Sequence, residues 1–458
     1  MNGADKKVIV VGVGPVPRGG ALTKVYAPGL RLFAFSQYIH EAGFRVIMGE
    51  RMFESEHKES TGEPLPWETR LLSFDGDECA DAIAEWAQRE KPIAIVSTTD
   101  VINRAAARAK VQIEPKSAAP PLWLDINGHP MAERQELSRV HSSDAGLIEQ
   151  WKYLIPALLA GDHFSVCSTP QKYALIGELG ALGRLNQWTS GCDLVSVIPP
   201  APVFHEQPPA ANTKPPEIIS QLNETDFMLL WTGGFNTWVD EKTLFEGVEK
   251  AMKQNASIQF VLTGGAIQGH DERTFQKFKA RIETSPFKER FRFAGWVSLE
   301  DLAAYYKRAE KKGAAINCDL FSYEALLGCR NRLFSWARFG VPIITTALSE
   351  ITCLLAERNL AQTFPAENAD ALANALLKLA GEPEAGRNMA TRAKKFFDEE
   401  YQYKILTTPL IEWLQNPQPA PDSGRRNELY DAQEALLAPR ESCLKRIFQR
   451  LKKTIMPF

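Results

Sequence analysis

The chain has 458 residues, of which 44% are hydrophobic, and its formal net charge at pH 7 is −3. This length predicts two or more domains with large buried cores, and the near-neutral charge excludes a general electrostatic attraction to nucleic acid or membranes. The seven cysteines form no CxxC pair, which predicts a reduced cytoplasmic protein without a structural zinc site.

Strand-like and helix-like segments alternate through the first half. The opening MNGADKKVIVVGVG lacks the layout of a signal peptide, and its β-branched run predicts a buried parallel strand. LRLFAFSQYIHEAG then has the apolar spacing of a helix. The strands FRVIMGE, PIAIVSTTD, PLWLDINGHPMAE and HFSVCSTP follow, several of them ending in polar residues. This alternation predicts a doubly wound α/β domain over residues 1–205.

A proline-rich stretch separates this domain from a second one. PPAPVFHEQPPAANTKPPE has the composition of an extended linker, which we place at residues 206–224. The alternation then restarts with FMLLWTGG, EKTLFEGVEKAMKQ and IQFVLTGGA. Ser298 and Asp301 have the spacing of a capping box at the start of a later helix. Residues 225–415 are therefore predicted to form a second doubly wound domain that faces the first across a cleft.

The last segment, residues 416–458, has a different character. RESCLKRIFQRLKKTIMPF, at 440–458, combines basic residues with apolar residues that fall on one helical face. Such a helix either lies on a membrane surface or docks on the protein itself. We favour the first interpretation, which predicts a peripheral position at the inner face of the cytoplasmic membrane. No apolar stretch is long enough to span a bilayer.

Three segments resemble those of GT-B glycosyltransferases. APGLRLFAFSQYIHEAGFRVIM resembles the first loop, helix and strand of these enzymes. FRFAGWVSLEDLAAYYKRAE and NRLFSWARFGVPIITT resemble two segments of their C-terminal domain. The resemblance covers most of residues 7–415 and is to retaining glycosyltransferase family 4, also called glycosyl transferases group 1.

The resemblance implies a GT-B fold, in which two Rossmann-like doubly wound parallel-sheet domains face each other across a cleft. The C-terminal domain is then expected to bind a nucleotide-sugar donor and the N-terminal domain a glycan or lipid-linked acceptor, in cell-surface polysaccharide assembly. No nucleic-acid partner, metal or other cofactor is expected. The DxD metal motif of the other major glycosyltransferase fold is missing, since DGD at 75–77 lies in a loop.

Without a metal, basic side chains, helix N-termini and backbone N–H groups must stabilise the departing diphosphate. The resemblance places the donor phosphates at the turn GGFNTWVD, which lacks the basic residues that the family has there. Gly233, Gly234, Asn236 and Thr237 are therefore candidate phosphate ligands, unless they only form a tight turn. Arg332 matches the family's basic residue at a helix start and is expected to supply the charge.

The paired glutamates of the family are not retained. Their second position is Ser335 and their first lies near Leu327. Glu324 and Asp319 are nearby carboxylates that either contact the donor sugar and ribose or lie at the surface. Arg330 is expected to be a solvated arginine at the helix start.

Further candidates lie at other strand ends. Trp296 and Val297 occupy the position where such domains hold the nucleotide base, although an aromatic residue there also suits a core. His129 is expected to contact the donor sugar. Asp125, His129 or Glu133 would serve as general base in an inverting enzyme.

The first loop supplies another group of candidates. Gly19 and Gly20, with Arg18 and Lys24 as weaker candidates, are expected to lie over the diphosphate and the acceptor.

Two other functions remain open. A sugar-nucleotide epimerase has the same fold but needs no acceptor. A non-catalytic partner subunit would account for the missing glutamate pair.

Overall fold

The computed structural model describes residues 6–18, 26–52, 64–115, 118–201, 215–267 and 269–425. Strands and helices alternate along the first domain. Its strands are β1 (Lys7–Val13), β2 (Arg45–Arg51), β3 (Glu68–Leu72), β4 (Ala94–Thr98), β5 (Leu122–Ile126), β6 (His163–Val166) and β7 (Val195–Val197). Its helices are α1 (Ala27–Glu41), α2 (Gly76–Glu90), α3 (Asp100–Gln112), α4 (Pro130–His141), α5 (Gly146–Ala160) and α6 (Thr169–Ala181).

The second domain repeats the alternation. Its strands are β8 (Phe227–Phe235), β9 (Ile258–Ala266), β10 (Phe291–Gly295), β11 (Gly313–Asn317), β12 (Ile343–Thr346) and β13 (Gln362–Phe364). The helices from the linker onward are α7 (Glu217–Ser220), α8 (Glu241–Gln254), α9 (Arg273–Glu283), α10 (Leu299–Lys312), α11 (Tyr323–Leu327), α12 (Asn331–Arg338), α13 (Glu350–Glu357), α14 (Ala369–Gly381), α15 (Pro383–Glu400), α16 (Tyr403–Leu406) and α17 (Thr408–Gln415).

Both sheets are parallel throughout the described residues. The first has seven strands in the order β3-β2-β1-β4-β5-β6-β7, and the second has six in the order β10-β9-β8-β11-β12-β13. Helices cover both faces of each sheet, which is why the strands are apolar runs rather than alternating ones. In the first domain, Ile83 and Ile102 pack on one face and Leu32 and Phe35 on the other. The predicted pair of doubly wound domains is confirmed.

The strand order fixes where a ligand can bind. The chain leaves β1 toward one edge of its sheet and later returns to β4, so the sheet reverses direction between these two strands. The second sheet reverses between β8 and β11. In open α/β sheets the crevice at the carboxyl ends of such strands is where ligands bind. The loops after β8 and β11 are therefore the first place to look for a site in the second domain.

Local capping follows the sequence prediction at α10. Ser298 Oγ accepts a hydrogen bond from the backbone N–H of Asp301 at 3.1 Å and lies 3.0 Å from Asp301 Oδ2. This arrangement satisfies an otherwise unpaired N–H group in the first turn. The predicted helix start is confirmed.

The end of the described chain returns to the first domain. Leu410 and Leu414 of α17 are fully buried in the cluster that contains Trp123. Beyond the helix, Asp422 pairs with Arg184 through an Nε–Oδ2 contact of 2.6 Å, and neither side chain is exposed. The sequence prediction placed residues up to 415 with the second domain, whereas α16 and α17 pack on the first. Helical periodicity shows that a helix has an apolar face but not which domain will cover it.

Among the described residues, no helix is long and apolar enough to cross a membrane. The basic amphipathic helix predicted at 440–458 lies outside the described residues.

Candidate active site

The carboxyl edges of the two sheets face each other and are in contact. Arg139 of α4 donates from Nη2 to the backbone oxygen of Thr237, in the loop after β8, at 2.7 Å. Other contacts between the domains are Ser168 Oγ to the Leu327 oxygen at 2.5 Å, the Thr169 N–H to Glu350 Oε2 at 2.9 Å, and the edge-on rings of Tyr26 and Trp296 with centroids 5.5 Å apart. These contacts bring the predicted donor turn beside the first domain.

Two glycine pairs lie side by side where β8 and β9 end. Gly233 pairs in register with Gly264, and Gly234 with Gly265. A Cβ at Gly264 would lie 2.2 Å from the Gly233 oxygen, so only glycine permits this approach of the strands. Gly233 differs, because it has a φ of +82° and a Cβ there would meet nothing within 4 Å. Its backbone therefore borders open space at the reversal point of the sheet.

The polar side chains after these glycines have separate roles. Asn236 Oδ1 accepts from the Thr237 N–H at 2.8 Å and lies 2.9 Å from His270 Nε2. Burial lowers the pKa of His270 and favours its neutral ring. Asn236 therefore stabilises the turn. Thr237 Oγ1 is buried and has no hydrogen-bond partner within the described part of the chain, which leaves one polar atom available beside the glycines.

Arg332 reaches the same turn from α12. Its Nη2 donates to the Gly234 oxygen at 3.0 Å, and its guanidinium lies 4.3 Å from the centroid of the Trp231 ring. Its Nη1 is buried without a hydrogen-bond partner among the described residues. Burial lowers the pKa of Arg332 to about 10. A buried cation with an unused donor gains from a bound anion, because the anion offsets the loss of hydration.

Arg330 has a different environment from the solvated one expected for it. It is buried, its Nε lies 3.1 Å from both carboxylate oxygens of Asp319, and it donates to both oxygens of Glu324 at 2.8 and 2.6 Å. The guanidinium also lies 5.1 Å from the Trp238 ring centroid. Asp319 and Glu324 are thus neither surface carboxylates nor free to contact a donor. The three residues form a buried ion-pair network that fixes the loops after β8 and β11.

Asp125, predicted from the sequence as a candidate general base, lies in the interior of the first domain. It is fully buried, receives bonds from Arg31 Nε at 2.9 Å and Nη2 at 2.7 Å, and accepts from Ser165 Oγ at 2.6 Å. Arg31 also donates to the Ile198 oxygen, close to the start of the linker. Both oxygens of this carboxylate are engaged by an arginine and a hydroxyl, an arrangement that suits a structural role better than that of a general base, and the catalytic role of Asp125 stays a prediction.

His129 begins α4 as its N-cap residue. Its Nδ1 accepts from the Ala132 N–H at 3.2 Å, and its Nε2 lies 3.4 Å from Glu178 Oε1. Burial lowers the pKa of His129 and raises that of Glu178 to about 7. The ring is thus held neutral, with Nδ1 as acceptor and the Nε2 proton toward Glu178.

Glu133 lies one turn further along α4, beside Gly128. Burial raises the pKa of Glu133 to about 8, with a further contribution from the nearby charges of Glu324 and Asp100. The side chain makes no hydrogen bond or ion pair within the part of the chain that the structure describes. Glu133 therefore has the properties of a carboxyl group that transfers protons. It is a better candidate than Asp125 for the general base of an inverting enzyme.

The remaining predicted donor residues lie at the same end of the second domain. Trp296 donates from Nε1 to the Ala266 oxygen at 3.4 Å and is partly exposed, whereas Val297 packs against the hydrophobic cluster beneath it. Ser335 is partly buried, one turn after Arg332 on α12. Trp296 is the member of this group that is open to a ligand.

The first loop is described only in part. Gly19, Gly20 and Lys24 lie outside the described residues. Arg18 forms an ion pair with the buried carboxylate of Glu50, and its Nε has no hydrogen-bond partner among the described residues.

Two exposed aromatic side chains at the reversal point were not singled out from the sequence. Phe321 and Tyr323 follow β11 and are 66% and 64% exposed. Exposed aromatic rings next to a cleft are suited to cover a sugar or base. The available signal was their position directly after a buried strand. No group of three or more metal-ligating side chains is found among the described residues.

Residues 226–382, from β8 to the end of α14, match the sequence profile of the family described as glycosyl transferases group 1. No curated protein sequence matches the chain. The match coincides with the domain that carries Arg332 and the glycine pairs.

Solved structures with the same fold cover both domains. A sucrose-phosphate synthase from Thermosynechococcus elongatus superimposes with a TM-score of 0.66 at 15% identity, over 90% of this chain and 98% of that one. HepE from Anabaena, in complex with UDP and glucose, superimposes with a TM-score of 0.58 at 13% identity, over 90% of this chain and 100% of that one. A UDP-forming trehalose-phosphate synthase from Burkholderia xenovorans superimposes with a TM-score of 0.61 at 11% identity, over 90% of this chain and 100% of that one. The predicted GT-B fold is confirmed.

Proposed function

We propose that this chain, a GT-B protein whose residues 226–382 match the group 1 glycosyl transferases, moves a sugar from a nucleoside-diphosphate sugar to an acceptor held by the first domain. The match of residues 226–382 supports the enzyme class. The glycan or lipid-linked nature of the acceptor, and a role in cell-surface polysaccharide assembly, rest on the resemblance in the sequence.

The observation that carries the proposal is the unused donor of Arg332. Its Nη1 is buried and has no hydrogen-bond partner among the described residues, and it lies beside the glycine turn, at the point where the second sheet reverses direction. A diphosphate at this point would receive the Arg332 guanidinium, the first N–H groups of α12 and the backbone of Gly233. This arrangement supplies positive charge where the leaving group gains negative charge.

The donor nucleotide that we propose is UDP-based. HepE, which has the same fold, is described in complex with UDP and glucose. In the proposed reaction the bond from the anomeric carbon to the diphosphate oxygen breaks, and the acceptor oxygen bonds to that carbon and loses its proton. Trp296, Phe321 and Tyr323 offer aromatic surface to the base or the sugar.

We further propose that the reaction retains the anomeric configuration and needs no metal, as the resemblance to family 4 implies. The inverting alternative requires a general base near the acceptor, and Glu133 is the carboxyl group best suited to it, since burial raises its pKa to about 8. Proton NMR of the first-formed product distinguishes the two, because the coupling at the anomeric proton reports which anomer is made.

A non-catalytic partner subunit is a second candidate. It is favoured by one observation, namely that Asp319 and Glu324 both bind Arg330 and leave no carboxylate at the positions of the missing glutamate pair. Such a subunit would bind nucleotide at Arg332 but show no turnover.

The test is calorimetric titration with UDP, GDP, dTDP, ADP and CMP, first without metal and then with magnesium, on wild type and Arg332→Gln. Arg338→Gln on the same helix is the matched control. Binding of one nucleotide that weakens at least tenfold in Arg332→Gln alone would support the donor site. Binding unchanged by that substitution, or no binding to a folded sample, would contradict it.

A further inference from the structure

A cavity lies in the first domain, away from the donor turn. It has a volume of about 250 Å³ and lies where α2 and α3 begin. Arg51, at the end of β2, lines it together with Arg104 of α3 and Tyr153 of α5. At roughly 30 Å³ per water the space equals about eight waters, enough for a phosphate and part of a sugar ring.

Arg51 is held in place and keeps one donor unused. Its Nη2 donates to the Phe74 oxygen, and its guanidinium lies 4.6 Å from the centroid of the Phe74 ring. Its Nε is buried without a hydrogen-bond partner among the described residues. These contacts hold the Arg51 side chain in place where it lines the cavity, so it is preorganised to bind an anion.

Arg104 adds a second cation to the same cavity. Its guanidinium lies 4.9 Å from the centroid of the Tyr153 ring. Within the described part of the chain it forms no hydrogen bond or ion pair. Neither arginine forms an ion pair within the described residues, and the repulsion between their two charges would be relieved by an anion between them.

The carboxylates beside the cavity are already engaged. Asp75 caps α2, since its Oδ1 accepts from the N–H groups of Asp77 and Glu78 at 2.8 and 3.0 Å. Asp77 pairs with Arg108. Among the described residues neither forms an ion pair with Arg51 or Arg104, although the charge of Arg51 contributes to the lowered pKa of Asp75. Asp75 Oδ2 is not used by the cap and can accept from a sugar hydroxyl.

The first turns of two helices add positive partial charge around the cavity. The cavity is lined by Gly76 at the start of α2 and by Val101 in the first turn of α3. The N-terminus of each helix carries a partial positive charge. The charges around the cavity therefore favour an anion, while Asp75 favours a hydroxylated one.

We propose that this cavity binds the phosphate of a phosphorylated sugar, with the side chains of Arg51 and Arg104 as its ligands and Asp75 at a sugar hydroxyl. The inference rests on the proposed function for the role of this sugar as the acceptor. The cavity opens at the carboxyl edge of the first sheet, the edge that faces the donor domain, so the phosphate anchors the far end of the acceptor.

The experiment measures binding of glucose 6-phosphate, glucuronate, glucose and inorganic phosphate by calorimetry. The samples are wild type, Arg51→Gln, Arg104→Gln and, as an exposed control on α2, Arg89→Gln, each checked for folding by circular dichroism. Glucose 6-phosphate is expected to bind more tightly than the other probes, and each of the first two substitutions is expected to weaken it at least tenfold. Arg89→Gln is expected to leave it unchanged.

Three results would overturn the proposal. Binding of inorganic phosphate as tight as that of glucose 6-phosphate would show that the sugar contributes nothing and that the cavity is a simple anion site. Equal binding of glucuronate would show that the phosphate is not selected. Absence of binding to folded wild type, or binding insensitive to both substitutions, would refute the site itself.

Titration of the same samples with UDP separates this proposal from the proposed function. Arg51→Gln and Arg104→Gln are expected to bind UDP as wild type does. Arg332→Gln is expected to lose UDP binding but to retain binding of glucose 6-phosphate. UDP binding without sugar-phosphate binding would overturn the acceptor site alone. Sugar-phosphate binding without UDP binding would overturn the donor assignment alone.

Discussion

Replacing Arg330 by methionine tests whether the buried ion-pair network holds the site together. Four N–O contacts between 2.6 and 3.1 Å join Arg330 to Asp319 and Glu324, and all three side chains are buried. Removing one partner of a buried pair costs about 3–5 kcal/mol, because the charge left behind has no compensation. Here two carboxylates are left behind, so we expect the upper part of this range in the free energy of unfolding.

The pH dependence of this loss follows from the same network. Burial raises the pKa of Glu324 even though Arg330 opposes the shift. Without Arg330 the pKa of Glu324 must rise further, so the carboxyl group becomes protonated at a higher pH. A buried carboxylate without a partner destabilises the folded state, and protonation removes this effect. The difference in stability between wild type and Arg330→Met should therefore shrink as the pH falls from 8 to 5.

Urea unfolding followed by tryptophan fluorescence at several pH values measures both effects. Trp238 lies against Arg330 and reports on this region. Arg338→Met, at the partly exposed C-terminal end of α12, is the control and is expected to change stability by about 0.5 kcal/mol or less. A loss below about 1 kcal/mol for Arg330→Met, or one that does not vary with pH, would refute the reasoning.

Three further predictions concern the first domain. Asp125→Asn should reduce stability by about 3 kcal/mol or more by thermal unfolding, since it leaves Arg31 buried and unpaired, while UDP affinity stays unchanged; a selective loss of turnover would restore its catalytic role. Glu133→Gln should stabilise the protein increasingly as the pH rises from 5 to 9, because the raised pKa of Glu133 makes its ionisation costly; a constant difference in melting temperature would contradict this. His129→Ala should cost about 1 kcal/mol in urea unfolding through loss of the N-cap, and His129→Asn should recover most of it; equal losses would exclude the cap.

Much of the fold could be predicted because its pattern is local. Runs such as VIVV in β1 and MLLW in β8 are buried in parallel sheets, and the pattern alone indicates this. The capping box at Ser298 was likewise local. The position of α17 could not be predicted in this way, because the residues of the first domain that cover Leu410, such as Trp123 and Ile198, lie far earlier in the sequence.

For the site, the sequence could indicate positions better than roles. The resemblance placed Arg332 near the glycine turn, and its Nη2 donates to the Gly234 oxygen there, whereas its contact with a donor diphosphate stays a prediction. Asp125 occupied an equally suggestive place at a strand end, yet its partner Arg31 lies 94 residues earlier, and no local pattern links the two. The same holds for Arg330, whose spacing from Asp319 and Glu324 did not indicate burial. In the sequence, a carboxylate or arginine at a strand end looks the same whether it forms a buried ion pair or lines a ligand site.

The most direct test of the central claim is the affinity of the metal-free protein for UDP, compared between wild type and Arg332→Gln. A hydrogen bond to a charged group contributes about 1.5–3 kcal/mol, which corresponds to roughly a tenfold to hundredfold loss of affinity. The account predicts a loss of this size in Arg332→Gln and none in Arg338→Gln. Equal UDP affinity in wild type and Arg332→Gln would contradict the placement of the donor diphosphate at the glycine turn.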